Sequence, residues 1–370
     1  MTKKSGGDRI SMNTEWTKGR IFRYAGTGTA GYGGDGQKAD TAELNGPAGL
    51  ACDRQDNLYV AEIFNSVVRK INAATGIITT VAGCGLSGFA GDGGPAVNAR
   101  LNGPEGVFVT VGGDIYIADT CNERIRMVDA GTGIIRTITG TGEAGYNGDG
   151  MDARRARLNH PSGIVVDSKG NVYFGDYRND RIRKVDTDGM ISTYAGTGVH
   201  GYSGDGGPAV EAEINDVYGM AIDREDNVYL IDSLNFAVRK IDARTGGIST
   251  VVGKGKPGPV TEFTRPEDGY IGGTAYDKGT IGMEVPHAVE ADVQGNVFIA
   301  DTASCRIRMF DRKRNRVYTV AGNGRRGCSG DNGPALEACL DVHGLRMDSR
   351  GNLYFLDFHN HIIRVVRFNE

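Results

Sequence analysis

The residues most suited to chemistry in this chain are its histidines. Imidazole titrates near neutral pH and can move protons, and its neutral form binds metal ions. Three of the six begin short apolar segments, two follow such a segment, and one lies in a Gly-rich connector. They are, in chain order, His160, His200, His287, His343, His359 and His361.

Three of these histidines lie in a segment that recurs along the chain in near-copies. Two of the copies are "NGPEGVFVT" from Asn102 and "VPHAVEAD" from Val285. Two positions vary between copies, one on each side of the Pro or of the residue that replaces it. The position after it holds Ala48, Glu105, Ser162, Tyr218, His287 and His343. The position before it holds Gly46, Gly103, His160, Asp216, Val285 and Asp341.

The whole chain repeats with the same period. An x-V/I-R-x motif recurs every 56 or 57 residues, with one longer step of 69 residues between Arg239 and Arg308. Each unit contains four short runs in which apolar and polar residues alternate, which predicts β-strands. Six four-stranded units that cannot bury a core alone predict an all-β fold, a six-bladed β-propeller of antiparallel blades.

The ends of the chain complement each other. The last unit stops after its third strand, "HIIRVVRF", and the chain begins with an unmatched fourth strand, "GRIFRYAG" from Gly19. We expect this strand to complete the last blade, which removes an exposed sheet edge. Residues 1–18 are then predicted to be a flexible leader, and residues 19–370 a single propeller domain.

Residues that recur in every unit are interpreted as scaffold. Each unit has an Arg in strand c and a carboxylate at the end of strand b, and we expect one buried ion pair per blade. Five units have an Asp in a G-D-G or G-D-N connector. We favour a turn role for it over calcium ligation.

The strand b and c sequences resemble NHL repeats, as in "GNVYFGDYRNDRIRKV" and "GNVFIADTASCRIRMF". The resemblance extends from about Arg20 to Phe368 and implies a propeller. NHL propellers include protein- and RNA-binding platforms. They are also similar to propeller enzymes such as the peptidyl-amidoglycolate lyase domain, which implies a metal held by histidines at the channel mouth.

In a propeller, the starts of the a strands and the b-to-c loops open on one face. We therefore predict a site at the channel mouth in which His287 or His343 acts as a base, and Tyr218 and Glu105 assist proton transfer. In the alternative version of the site, a divalent metal, zinc or calcium, would be held by His287, His343 and His160, with Glu105 or Asp216 as a further candidate ligand. A role of these residues as mere channel lining stays open.

Substrate contacts are expected from the same face. Arg178 in "DYRND" is suited to a carboxylate, or is a solvated surface residue. Further candidates are Tyr177, His160, Asp216 and His359, with Tyr270 from the long connector of the fifth unit, which is either a lid or a benign insertion. Cys121 lacks a defined partner and is not predicted to be a nucleophile.

Composition narrows the classes of function. The net charge is −4, which argues against nucleic-acid binding. No apolar run approaches a membrane span, no secretory signal begins the chain, and no CxxC pair or nucleotide motif occurs. We expect a cytoplasmic protein acting on a small molecule, with no nucleotide cofactor, and compatible with a monomer. The predicted function is a lyase, isomerase or hydrolase, and the alternative is a non-catalytic binding platform.

Overall fold

The computed structural model describes residues 16–253, 255, 276–277 and 283–368. Alternating apolar residues form 27 short strands, all paired antiparallel in six sheets. The strands are β1 Arg20–Ala25, β2 Pro47–Cys52, β3 Leu58–Glu62, β4 Val67–Ile71, β5 Ile78–Ala82, β6 Pro104–Val109, β7 Ile115–Asp119, β8 Arg124–Val128, β9 Ile135–Thr139, β10 Met151–Asp152, β11 Pro161–Val166, β12 Val172–Asp176, β13 Arg181–Val185, β14 Met190–Ala195, β15 Val217–Ile222, β16 Val228–Asp232, β17 Ala237–Ile241, β18 Ile248–Gly253, β19 Tyr276–Asp277, β20 Ala288–Ala291, β21 Val297–Asp301, β22 Arg306–Asp311, β23 Arg316–Ala321, β24 Gly333–Pro334, β25 Val342–Met347, β26 Leu353–Asp357 and β27 Ile362–Arg367.

Helical structure in the described residues is limited to single 3-10 turns in loops and connectors. Within this part of the chain, no helix has the length and apolar character needed to cross a membrane. The 3-10 turns are Trp16–Lys18, Ala39–Thr41, Ala96–Asn98, Thr120–Asn122, Ala153–Arg155, Tyr177–Asn179, Ala209–Glu211, Ser233–Asn235, Ala335–Glu337 and Phe358–Asn360.

The six sheets are the blades of a β-propeller, as the sequence predicted. Blades 1 to 5 take their four main strands from β2–β5, β6–β9, β11–β14, β15–β18 and β20–β23. The sixth blade is built from β25, β26 and β27 and is completed by β1, which pairs antiparallel with β27. The two-residue strands β10, β19 and β24 each add a short fifth strand to one sheet.

The first turn of the described chain packs onto the ring. Trp16, which falls within the predicted leader, places its ring edge-on against Phe298 at 5.1 Å and Phe368 at 4.7 Å between centroids. Residues 1–15 of that leader lie outside the described residues.

In five of the six blades, the strand-c Arg lies between two carboxylates. Arg126 is fully buried and bonds Asp119 of strand b at 3.2 Å and Asp92 of the connector at 2.9 Å. Five blades share this arrangement, which confirms the buried ion pair and adds a partner that the sequence did not reveal. In blade 5, whose connector sequence lacks the G-D-G motif, Arg308 bonds Asp301 of strand b and also Thr319.

In five blades, a glycine near the start of the inner strand allows neighbouring blades to approach. A Cβ on Gly163 would lie 2.5 Å from the carbonyl oxygen of Tyr218 in the next blade, and one on Gly106 would lie 2.6 Å from that of Ser162. Blade 5 has Ala288 at this position, so its contact with blade 6 must accommodate a methyl group. The departures from the repeat therefore fall together at the boundary between blades 5 and 6.

Candidate functional site

The inner strands enclose a narrow axial cavity of about 70 Å³. Its rim carries the variable residues Ala48, Glu105, Ser162, Tyr218, His287 and His343. Two positions further along each strand, the wall is apolar and is formed by Leu50, Val107, Ile164, Met220, Val289 and Leu345. The polar groups are thus concentrated at one end of the cavity.

Backbone geometry fixes the rim residues. The residue before the inner strand has positive φ in five blades, including His160 at 60° and Asp216 at 65°. In three cases, a side chain of a b-to-c loop accepts a hydrogen bond from the peptide N–H of this residue in the following blade. The peptide N–H of His160 donates to Glu123, that of Asp216 to Asp180, and that of Gly46 to Nδ1 of His361. Side chains of the b-to-c loops therefore set the positions of the rim.

Six rings form a continuous row along the rim. Successive centroid distances are 5.7 Å from His160 to Tyr177, 6.1 Å to Tyr218, 5.0 Å to His287 and 4.8 Å to His343. The sixth ring is that of Phe358, which stacks on His343 at 4.6 Å. Two tyrosines consequently separate His160 from His287, whereas His287 and His343 are direct neighbours.

Two polar pairs occupy the His160 end of the row. Nε2 of His160 lies 3.5 Å from Oε1 of Glu105, and the Tyr177 hydroxyl donates to Asp216 at 2.9 Å. Ser162, between Glu105 and Tyr218 on the rim, donates its hydroxyl to the Val217 carbonyl at 2.8 Å. Its hydroxyl is therefore engaged in joining two blades.

Burial determines the protonation of the central rings. It lowers the pKa of His343 to about 3, with the nearby His287 ring contributing in the same direction. Burial also lowers the pKa of His287, although Glu105 and Asp341 oppose the shift. For Tyr218, burial and the charge of Glu105 raise the pKa well above 10. At neutral pH, His287 and His343 are therefore neutral and Tyr218 keeps its proton.

Two polar atoms on the rim lack protein partners. Among the residues that the structure describes, seven buried side-chain nitrogen or oxygen atoms make no hydrogen bond. Four belong to the strand-b carboxylates and strand-c arginines and a fifth to Arg346, whereas Oε2 of Glu105 and Nδ1 of His287 line the axial cavity. Buried polar atoms normally have partners, so these two are available to a ligand or to water.

A second polar group lies at the other end of the row. Asp341, His343 and His359 each offer one ligand atom, and these atoms lie within 4.8 Å of one another. His287 and His160 are not members of this group. Oxygen and imidazole nitrogen are suitable ligands for zinc, so this group fits a divalent metal in donor type. The predicted set of His287, His343 and His160 stays a prediction.

The remaining candidates are spread more widely. Arg178 is exposed in its b-to-c loop, and Tyr270 lies outside the described residues. Asp341 and Arg326 were not predicted as site residues. Asp341 could have been found, because it occupies the variable position before the inner strand, as His160 and Asp216 do. Arg326 lies in a connector and nothing in the repeat distinguishes it.

The sequence profile of the Teneurin NHL domain matches residues 84–147 and again 141–203. The chain is 29% identical over 303 residues to Protein SUPPRESSOR OF QUENCHING 1, chloroplastic, of Arabidopsis thaliana, covering 79% of this chain and 27% of the relative. It is 28% identical over 194 residues to NHL repeat-containing protein 2 of Gallus gallus, covering 50% and 26%. The chain thus spans about a quarter of the length of these relatives.

Three solved structures share the fold. An auxiliary nutrient binding protein of Bacteroides ovatus has a TM-score of 0.65 at 13% identity, with 96% of this chain and 78% of that chain covered. A gluconolactonase of Xanthomonas campestris has a TM-score of 0.57 at 11% identity, with 97% and 93% covered. A streptogramin B lyase has a TM-score of 0.53 at 13% identity, with 96% and 99% covered.

Proposed function

Because the chain is an NHL-repeat six-bladed β-propeller with a polar cavity rim, we propose that it is an acid–base enzyme acting on a small molecule, a lyase, isomerase or hydrolase. One observation carries the proposal. Oε2 of Glu105 and Nδ1 of His287 are buried at the rim without protein partners. Unsatisfied buried polar atoms are costly to stability, and catalytic sites are where such a cost is retained.

Glu105 is the group we assign as the general base. Its Oε1 lies close to His160, which orients the carboxylate, and its Oε2 remains available to accept a proton. The proton would come from a substrate carbon in an elimination or isomerisation, or from water in a hydrolysis. The apolar wall beyond the rim reduces competition from solvent.

Tyr218 and His287 supply the complementary functions. Because its pKa is raised well above 10, Tyr218 keeps its proton and can donate a hydrogen bond to an oxygen that develops negative charge. His287 stays neutral at neutral pH and can hydrogen-bond the leaving group, which receives the proton that Glu105 has taken up. His343, which stacks behind His287, fixes the orientation of that ring.

Two of the solved structures that share this fold suggest compounds with which to test the proposal. The streptogramin B lyase and the gluconolactonase motivate a panel of cyclic esters that contains a streptogramin B antibiotic and gluconolactone. Turnover of any panel compound should fall by about a hundredfold or more in Glu105→Gln and His287→Ala. His200→Ala is the control, because His200 is exposed and lies outside the cavity. Full activity in both rim variants would refute the assignment.

A non-catalytic binding platform is the second candidate. It is favoured by exposed apolar side chains in b-to-c loops, among them Phe64 at 62% and Leu234 at 46% exposure. The shared fold with a nutrient binding protein is compatible with it. A stoichiometric ligand that binds without being converted, and whose affinity falls in Phe64→Ser, would support the platform. The predicted cytoplasmic location stays a prediction.

A further inference from the structure

Arg326 lies directly against the group of Asp341, His343 and His359. Its Nη2 is 3.1 Å from Oδ1 of Asp341 and 2.6 Å from Nδ1 of His359. The same Nδ1 is 2.6 Å from Oδ2 of Asp341. One nitrogen cannot both accept from Arg326 and donate to Asp341, so only one of these two contacts of Nδ1 is a hydrogen bond at a time, whereas Arg326 contacts Asp341 directly in either case.

The carboxylate at the centre of this group is fixed. Asp341 is buried at 2% exposure, and its Oδ2 also accepts a hydrogen bond from the peptide N–H of His359 at 3.3 Å. A buried carboxylate requires a compensating positive charge or hydrogen bonds. In this structure that positive charge is the guanidinium of Arg326.

The cation, in contrast, is free to leave. The side chain of Arg326 is 60% exposed, and that of His359 is 56% exposed. Once another cation binds Asp341, the exposed guanidinium can move into solvent at little cost, because water replaces its hydrogen bonds. Its departure would leave one carboxylate oxygen and two imidazole nitrogens converging on the space that it had neutralised.

We propose that Asp341, His343 and His359 form a zinc site for which Arg326 is a displaceable internal cation. Three protein ligands of this type leave a fourth tetrahedral position open, as in zinc sites that bind water or substrate. The ring of His343 is 4.8 Å from that of His287, so the open position adjoins the rim of the axial cavity. The site is separate from the acid–base roles of Glu105 and Tyr218.

Titration calorimetry with ZnCl₂ tests this on the full chain after removal of metal with EDTA. Wild type is compared with Arg326→Gln, Arg326→Gln/His359→Ala and Arg325→Gln. Arg325 is the matched control, because it is the neighbouring exposed arginine and lies outside the group. Zinc bound weakly by exposed cysteines or by His200 contributes equally to all four proteins, so the differences between them decide.

We expect Arg326→Gln to bind one zinc at least about tenfold more tightly than wild type, because a competing cation is removed. Arg325→Gln should match wild type, and the double variant should lose the gain. Equal zinc affinity in wild type and Arg326→Gln, including a failure of both to bind, would overturn the proposal. So would a double variant that keeps the tighter binding. Turnover is not measured, so these results are independent of the proposed enzyme activity.

Discussion

The cysteines differ in burial, and we expect their reactivity toward alkylating reagents to differ accordingly. Burial raises the pKa of Cys52 to about 12, against a smaller opposing effect of Arg346. At pH 8 only roughly one Cys52 thiol in ten thousand would be ionised. Cys84 and Cys328 are exposed. We expect iodoacetamide at pH 8 to modify Cys84 and Cys328 first and to leave Cys52 unmodified in the folded protein, as read by peptide mass spectrometry.

Cys121 provides an internal comparison for this experiment. It is exposed, but partial burial and the charges of Glu105 and Glu123 raise its pKa. It should therefore react more slowly than Cys84 although both are accessible. Modification of Cys121 ahead of Cys84 would indicate an activated thiol and would reopen its assignment as a non-nucleophile.

The sequence identified the rim residues but not their contacts. Comparing the units with one another was sufficient to find Glu105, Tyr218, His287 and His343, because each departs from a repeated segment. The order of the rings and the position of Arg326 depend on how neighbouring blades pack. That geometry involves residues far apart in the chain, which a repeat period does not encode.

Among the structural elements, the c strand is expected to be the most sensitive to substitution. Arg126 is fully buried between Asp119 and Asp92 and also donates to the Arg100 carbonyl at 3.3 Å. Arg126→Leu leaves Asp119 buried without its counter-charge. We expect it to lower the free energy of unfolding by about 3–5 kcal/mol, measured by urea denaturation.

The two carboxylate partners of Arg126 should not be equivalent. Asp92 is 35% exposed, whereas Asp119 is fully buried. Asp92→Asn is therefore expected to cost only about 1 kcal/mol, since water can replace part of the interaction. A loss as large as that of Arg126→Leu would show that the connector carboxylate, and not the strand-b carboxylate, is the main support of the arginine.

The glycine of the inner strand is also expected to be sensitive to substitution. Gly163→Ala would place a Cβ 2.5 Å from the Tyr218 carbonyl and 2.9 Å from the Met220 nitrogen. Blades 3 and 4 would have to separate, and we expect a loss of about 1–3 kcal/mol in the free energy of unfolding. Gly112→Ala is the control, because its Cβ would meet nothing closer than 3.7 Å. Equal stability of both variants would contradict this account.

The strands were predictable because alternation along the chain directly reflects burial of one face. The role of the connector Asp was not. A G-D-G sequence indicates a turn, and Asp35 does lie in one, but its carboxylate binds Arg69, which is 34 residues away. The strand-c Arg and the connector Asp, which recur separately in the sequence, are therefore partners in one interaction. Only the folding of the sheets brings them together.

At the scale of the whole molecule, closure of the ring depends on one strand. β1 is hydrogen-bonded to β27 along Arg20–Ala25, and it connects β27 to β24 at the outer edge of the sixth blade. Without β1, the outer edge of β27 would be exposed, and unpaired edges promote aggregation. Completion of one sheet by both chain ends also means that unfolding of either end opens the ring.

Two truncations separate the leader from the closing strand. A chain that starts at Trp16 keeps β1 and the packing of Trp16 on Phe298 and Phe368. It should therefore melt at the temperature of the full chain and retain the emission of its single tryptophan. A chain that starts at Gly28 lacks β1, and we expect it to unfold at lower temperature and to elute as larger species in gel filtration. A Gly28 start that remained monomeric and equally stable would show that the sixth blade does not need its fourth strand to hold the ring closed.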